Sequence, residues 1–171
     1  MSTKNKILDV YTRSKEIEYF TGVDITDTTK ILYSQLLLCG EKAKERQIMA
    51  NLFCIELCRC FKIKRPIEVR VCNSPQDSTV VNGVCVSRIL GKYIPSQRMC
   101  IIFNKTAVRK NIVSIKVFAD ALLHEFIHYI DHEYYGFNTS PHTSGFYNRL
   151  CDLKLKLNKG GVIRKLSSVY I

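Results

Sequence analysis

The stretch His124-Glu125-Phe126-Ile127-His128 is an H-E-x-x-H motif, and it decides how the rest of this 171-residue chain is interpreted. Residues four apart lie on the same face of an α-helix, so both imidazoles can reach one metal ion while Glu125 stands beside them. Zinc binds neutral imidazole nitrogens, and a catalytic zinc site has three protein ligands and one open position. The motif therefore predicts one zinc ion per chain, with Glu125 as general base. The alternative is a helix that carries two surface histidines.

Signals at both ends of the motif predict the helix that contains it. Ser114 is a favourable N-cap and Gly136 a favourable stop, which places the helix at residues 115–135. Its polar residues and its large apolar residues fall on different faces, as in a helix that packs one side against a core.

The third metal ligand is expected after this helix. The Ser-Pro pair at 140–141 combines a favoured N-cap with a favoured first helical residue, so a second helix is predicted to begin there with His142 in its first turn. The short link between the helices can bring His142 to the metal. Asp152 and His132 are the alternative ligands, although His132 lies about 12 Å along the helix axis from the first histidine of the motif.

Four further residues are candidates for supporting roles. Asp131 lies one turn after His128 and could orient a ligand imidazole by accepting a hydrogen bond, or it could be an ordinary solvated carboxylate. Tyr147 and Arg149 are candidate donors to the negative charge that develops during hydrolysis. Tyr129 is a weaker candidate for the same role, because it is expected to point into the core.

Helical spacing dominates the chain before Pro66, which stops the last of three predicted helices. In that last helix the apolar face recurs at helical spacing, at Ile48, Leu52, Ile55 and Cys58 or Arg59. The second helix begins with a capping residue, Thr26 or Asp27. The three helices are predicted at about residues 7–20, 26–38 and 41–61.

Alternating apolar residues follow Pro66, as in half-buried strands. The segment 99–103 is the expected sheet edge, where a peptide substrate could pair through its main chain. Strands are predicted at 67–71, 80–86, around 89 and at 99–103, with bends at 73–77, 82–83 and 91.

Together these elements predict one α+β domain. A helical N-terminal layer spans 1–65, a small, mainly antiparallel sheet and the two active-site helices span 66–157, and a short tail spans 158–171. The second active-site helix is expected to end at about residue 157.

Charge is the most unusual feature of the composition. The chain has 26 Lys and Arg against 15 Asp and Glu, a net charge of +11. Most of this excess is central, since residues 31–123 hold 15 basic and 6 acidic residues. Arg59, Lys62, Lys64 and Arg65 form a candidate patch for a nucleic acid backbone or for acidic substrates, with solubility as the alternative.

The cysteines and the apolar segments suggest the compartment. No apolar leader follows Met1, and no segment approaches the roughly 18 apolar residues of a membrane span, so we expect a cytoplasmic protein without a membrane partner. The eight cysteines are then expected to be reduced and mostly buried. For the group Cys54, Cys58 and Cys60, packing is favoured over a second metal or redox site.

Two segments carry a family resemblance. They are Leu-Leu-His-Glu-Phe-Ile-His at 122–128 and Pro-His-Thr-Ser-Gly-Phe-Tyr-Asn-Arg-Leu at 141–150, preceded by a glycine-then-strand segment that starts at Gly91. Residues 80–155 thereby resemble the SprT-like group of zinc metallopeptidases and related small zincins. Phe146 and Tyr147 stand where that group has an aromatic residue after its third histidine.

The resemblance implies a zincin-like fold and zinc-dependent hydrolysis of peptide bonds. Thr143 stands where the group typically has glycine, and the cysteine-rich zinc ribbon that follows many such domains is absent from this sequence. We therefore transfer no DNA-repair role.

The hypothesis from sequence is peptide hydrolysis at a zinc ion held by His124, His128 and His142. The ion would lower the pKa of its water toward about 7, and Glu125 would pass the water's proton to the leaving amine. One rival is a non-catalytic metal-binding or nucleic-acid-associated module of SprT-like type. Another is a hydrolase that acts on a bond other than a peptide bond.

Overall fold

Three helices precede the first strand, as the sequence predicts. The computed structural model describes residues 3–82 and 84–159, and its first helices are α1 (Thr3–Glu16), α2 (Asp27–Leu37) and α3 (Ala43–Cys60). Thr26 caps α2, since its Oγ1 accepts a hydrogen bond from the Thr29 amide. Helix α1 ends four residues before the predicted end, because side chains of the last helix bind the backbone groups of residues 17–23.

Two members of the apolar stripe that predicted the buried face of α3 are exposed, whereas Ile55 is half-buried and Cys58 is buried. Ile48 and Leu52 are 51% and 47% exposed. The helix has a second apolar stripe about one residue further round, and that stripe packs into the core; its buried apolar members are Ala50, Phe53, Cys54, Leu57 and Cys58. The cysteines of this stripe therefore pack, as expected. The seven cysteines whose side chains are described are free.

Two small sheets follow α3. The first contains β1 (Glu68–Pro75), β4 (Gly91–Ile94) and β5 (Met99–Lys105) in the order β1-β5-β4. The second is a hairpin of β2 (Asp77–Val81) and β3 (Val84–Ile89), which turns at Asn82 and so divides the predicted strand at 80–86.

The three-stranded sheet is mixed and not mainly antiparallel, which corrects one expectation. Strand β5 pairs in parallel with β1 and antiparallel with β4. It is therefore the central strand, and the prediction that 99–103 forms the edge is wrong. Its side chains show the reason: Cys100 and Phe103 point to opposite faces and are both buried, as in a strand covered on both faces. The edge on the side of the motif helix is β4.

Side-chain amides of α3 bind the other edge of this sheet. Asn51 accepts from the Val69 amide at 2.9 Å and donates to the Val69 carbonyl at 2.8 Å. Gln47 accepts from the Val71 amide at 2.9 Å. These groups face away from β5, so the outer backbone positions of β1 at Val69 and Val71 are already bound within the chain.

The motif helix α4 (Ile115–Glu133) follows β5. The Ser114 side chain accepts from the Val117 amide, as predicted for its N-cap. Helix α4 ends two residues earlier than predicted, and Gly136 beyond it has φ +67°, which favours glycine.

The last helix, α5 (Ser144–Asn158), begins later than predicted. Its N-cap is Thr143, whose Oγ1 accepts from the Phe146 amide, and His142 precedes the helix. Ser140 does not cap it because its hydroxyl binds elsewhere, as described below. Of the predicted tail at 158–171, residues 160–171 lie outside the described residues. Among the helices of the described ranges, none is long and apolar enough to cross a membrane.

Candidate metal centre

Three imidazole nitrogens meet at one point between α4 and the start of α5. The Nε2 atom of His142 lies 3.0 Å from Nε2 of His124 and 3.0 Å from Nε2 of His128. The ligand nitrogens of all three residues lie within 4.8 Å of one another. Three nitrogens that bind one tetrahedral zinc ion are roughly 3.3 Å apart. The three histidines can therefore hold a metal ion.

His128 is held in the tautomer that a metal ligand needs. Its Nδ1 lies 2.6 Å from Ser140 Oγ, and that hydroxyl donates its single proton to Asp131 Oδ2 at 2.8 Å. Ser140 must therefore accept from Nδ1–H of His128. In a neutral imidazole this leaves Nε2 without a proton, with its lone pair directed at the cluster.

Asp131 accepts from Arg149 as well as from Ser140. The Arg149 guanidinium donates to Oδ1 at 2.9 Å and to Oδ2 at 3.1 Å, and both side chains are 0% exposed. Burial raises the pKa of Asp131, while Arg149 and the Ser140 hydroxyl oppose that rise. All of these neighbours are donors, so the ionised carboxylate is the form that fits.

Phe146 forms an apolar wall against the cluster. Its ring lies 4.7–4.9 Å from the rings of all three histidines and is fully buried. Tyr147 stacks on His142, with ring centroids 6.0 Å apart, and is 49% exposed. Phe146 thus covers one side of the imidazoles, and the cleft lies on another side.

The environment keeps two of the imidazoles neutral. Burial, with the neighbouring His142, lowers the pKa of His124 to about 4. Burial, with the two neighbouring cluster histidines, lowers the pKa of His128 to about 3. Metal ions bind neutral imidazole. At neutral pH, therefore, neither residue has to lose a proton before it binds a metal ion.

Glu125 lies on the floor of the same cleft and is 6% exposed. Burial raises the pKa of its carboxyl to about 7, and a hydrogen bond from the Tyr93 amide opposes the rise. Gly91 provides the space for this side chain, since a Cβ at position 91 would lie 2.9 Å from Cγ of Glu125. Strand β4 therefore both binds the carboxylate and makes room for it.

The cleft has a volume of about 740 Å³. Strand β4 forms one side, α4 the floor and α5 part of the opposite side. Its charged rim includes Lys92, which pairs with Asp77 at 3.2 Å, and Lys154, which pairs with Asp120 at 2.6 Å. The outer edge of β4 pairs with no strand among the described residues, and the Tyr93 amide on that edge binds Glu125.

The other predicted ligands lie outside the cluster. His132 lines the cleft but packs against Tyr93, with ring centroids 5.6 Å apart. Asp152 accepts from the Phe20 amide at 2.9 Å and pairs with Lys156 at 3.5 Å. Both alternatives for the third ligand are therefore occupied by other contacts.

Two of the predicted donors are buried and bind other groups. The Tyr129 hydroxyl donates to the Arg65 carbonyl at 2.6 Å, within the core. Arg149 does not touch the histidines and binds Asp131 instead. Tyr147 is the predicted donor that remains beside the cluster.

Sequence reasoning missed Ser140 and Tyr93 as site residues and did not connect Gly91 to Glu125. Ser140 carried a signal, but its place before Pro141 favoured the helix-cap interpretation. A close approach of backbone to a side chain is a common reason for glycine next to a strand, and Gly91 could have been found that way. Nothing local marks the Tyr93 amide.

The candidate basic patch lies away from this cleft. Lys62, Lys64 and Arg65 are exposed and line a second cavity of about 560 Å³ with Tyr134. The acidic residue in that lining, Glu133, pairs with Arg98 at 3.3 Å. Arg59 pairs with Glu56 at 2.6 Å. Three of the four predicted basic residues thus share one surface.

Searches with family models, among curated proteins and among solved structures found no match to this chain.

Proposed function

We propose that this protein is a zinc metallopeptidase of the small H-E-x-x-H type, similar to the SprT-like group, that hydrolyses peptide bonds in a protein or peptide substrate. The main support for this proposal is that three imidazole nitrogens converge in a cleft that also contains a buried carboxylate, Glu125. A structural zinc site uses four protein ligands and needs no base beside them. A three-nitrogen site next to an open strand edge suits catalysis better.

The donor set supports zinc over other common metals. Neutral imidazoles are good ligands for zinc, whereas magnesium and calcium prefer oxygen. The chemistry that a bound zinc ion supplies is activation of water and polarisation of a carbonyl group. His124, His128 and His142 would hold the ion.

Glu125 does the proton transfer in this proposal. Its pKa near 7 suits a group that takes a proton from water and later gives it to the leaving amine nitrogen. The Tyr93 amide holds the carboxylate in place during both transfers. Beside the Tyr93 amide, which stays bound to Glu125, the remaining outer edge of β4 would bind the substrate main chain.

Replacement of Glu125 by glutamine tests this mechanism. We expect Glu125→Gln to bind about one zinc ion per chain, as the wild type does, and to lose peptide hydrolysis by two or more orders of magnitude, since general base catalysis contributes about 10²–10⁴-fold. His132→Gln is the matched control, because it changes a residue of the same cleft outside the cluster. Undiminished hydrolysis by Glu125→Gln would rule out the mechanism.

A second candidate function is a metal-binding module that associates with nucleic acid and cleaves nothing. The shared surface of Lys62, Lys64 and Arg65 supports it, since the acidic residue in that cavity is already paired. Binding of a duplex oligonucleotide that weakens steeply with salt, and that is lost when the three basic residues become glutamine, would favour this function if no peptide is cleaved.

A further inference from the structure

The end of α1 is held against α5 by a buried arginine. Arg149 donates to the Ser14 carbonyl at 2.9 Å and to the Ile17 carbonyl at 2.5 Å. The start of α5 approaches the same turn, since a Cβ at Gly145 would lie 2.8 Å from the carbonyl oxygens of Lys15 and Ile17. One guanidinium thus satisfies carbonyls that the end of α1 leaves free.

The same guanidinium begins a hydrogen-bond chain that ends at a metal ligand. Its other end binds both oxygens of Asp131, Asp131 accepts from Ser140, and Ser140 accepts from His128. A second path leads from Arg149 to the N-cap of α5. Arg149 donates to Ser14 Oγ at 3.3 Å, Ser14 Oγ lies 3.0 Å from Thr143 Oγ1, and Thr143 follows His142 directly. The last turn of α1 therefore contacts groups that hold two of the three histidines.

We propose that Arg149 is a positioning residue that makes metal affinity depend on how α1 is seated against α5. This inference rests on the metal-binding part of the proposed function. It adds a residue without metal contact, and a helix remote from the motif in sequence, to the parts that set the site.

The physical reason lies in the direction of the hydrogen bonds. An ionised Asp131 can only accept, so the Ser140 proton points to it and the Nδ1 proton of His128 points to Ser140. Without Arg149, a carboxylate that is 0% exposed has lost its charged partner and is driven to bind a proton or to move. The Ser140 proton can then turn toward Nδ1 of His128, which places the imidazole proton on Nε2. That tautomer cannot bind a metal through Nε2.

Zinc affinity of the full chain tests the proposal directly. We expect Ser140→Ala, Asp131→Asn and Arg149→Met each to weaken zinc binding about 10- to 100-fold, the range found when groups that orient a ligand imidazole are removed. Arg149→Lys should fall between Arg149→Met and the wild type, because it keeps the charge but has one nitrogen where the guanidinium uses one for Asp131 and another for the α1 carbonyls. The measurement is competition with a chromophoric zinc chelator at neutral pH.

Lys156→Met is the matched control. Lys156 lies on the same helix and donates to the carbonyls of Phe20 at 2.7 Å and Val23 at 3.2 Å, but it has no contact with the chain from Arg149 to His128. This variant should lower the melting temperature of the zinc-free protein and leave the zinc dissociation constant within about twofold. An equal loss of affinity in Lys156→Met and Arg149→Lys would overturn the proposal, since general loosening of the fold would then explain both.

A double-mutant cycle distinguishes positioning from a merely structural role. If Arg149 acts through Ser140, the loss of zinc affinity caused by Arg149→Lys should largely disappear in a Ser140→Ala background. Additive losses would overturn the proposal. Should the Arg149 variants fail to fold, the cycle can be run with Asp131→Asn and Ser140→Ala. With Co²⁺ in place of zinc, both single variants should also change the visible absorption spectrum.

The outcome separates this proposal from the proposed function. Wild-type protein that binds no zinc would end both. Wild-type protein that binds zinc but cleaves no peptide would end the peptidase and leave the coupling to be decided by the cycle. Wild-type affinity in the Ser140, Asp131 and Arg149 variants would end only the coupling.

Discussion

Gly91 lies against Glu125 so closely that a Cβ at position 91 would be 2.9 Å from Cγ and 3.1 Å from Oε1 of that carboxylate. The same Cβ would lie 2.8 Å from Cδ1 of Ile102, in the core. Any side chain at position 91 must therefore displace either the buried core or the proposed base. The glycine on the edge strand sets where the carboxylate stands.

Gly91→Ala should lower peptide hydrolysis about 10- to 100-fold while zinc still binds, because a catalytic group displaced by about 1 Å can lose 10²-fold in rate. Steady-state kinetics and zinc content measure the two effects. Gly40→Ala is the control, since a Cβ there would meet only the Glu45 side chain at 3.6 Å. Full activity in Gly91→Ala would show that the carboxylate tolerates the displacement.

His142→Ala should reduce the zinc content of purified protein to well below one ion per chain. Two imidazoles four residues apart on one helix make a weaker site than three, and a catalytic zinc site needs the third protein ligand. His132→Ala should retain zinc, because His132 packs against Tyr93 outside the cluster. If His132→Ala loses zinc and His142→Ala retains it, the third ligand is His132 and not His142.

The unfolding free energy of the zinc-free protein should fall as the pH rises, because Glu125 loses its proton. The pKa of this carboxyl is about 7 when folded and about 4.5 when unfolded, so the folded state holds a proton that the unfolded state has lost between those values. Unfolding free energy therefore falls through this range, by on the order of 3 kcal/mol in total.

Glu125→Gln removes that titration. With zinc removed by a chelator, it should match the wild type near pH 4.5 and exceed it by about 3 kcal/mol above pH 7, as measured by urea unfolding. Titration of the histidines is common to both proteins and largely cancels in the difference. Parallel pH profiles for the two proteins would show that the folded pKa is not raised.

Asn51→Ala should destabilise the protein by about 1–3 kcal/mol, because the Val69 amide and carbonyl would each lose their partner. It should also increase self-association, since an unpaired strand edge can bind another chain. Urea unfolding and light scattering measure the two effects. Asn158→Ala, which removes a bond to the Lys154 carbonyl in the last turn of α5, should change stability by less than about 0.5 kcal/mol.

The motif helix could be predicted from sequence because its signals are local. Ser114 caps α4 with its own side chain, and the two histidines of the motif are fixed on one face by helix geometry. His142 was predicted as the third ligand, and the structure brings it to the other two. The predicted reason, a helix that begins at Ser140 with His142 in its first turn, is wrong, because the helix begins after His142.

The start of α5 could not be predicted, because Ser140 has two uses that look alike in sequence. A serine before proline can cap a helix, but here its hydroxyl binds Asp131 and His128, which are distant along the chain. Thr143 caps the helix instead. The competition is decided by a buried carboxylate that local patterns do not reveal.

The order of the strands also depends on distant contacts. Strands β1 and β5 pair directly in the sheet, although the hairpin and β4 separate them in the sequence. A continuous apolar run such as the one in β5 suits a central strand, and this was the available clue. In α3, two neighbouring stripes are both apolar, so hydrophobic spacing alone does not determine which one is buried.

Asn51 and Gln47 bind the outer backbone of β1, so the two edges of the three-stranded sheet differ. Side chains of α3 bind β1 at Val69 and Val71, whereas among the described residues of β4, which forms one side of the cleft, the outer backbone has Glu125 bound at Tyr93. Under the proposed function, an extended chain that adds to β4 would lie beside the histidine cluster, so the peptidase would act first on unfolded chains, including unfolded copies of this one.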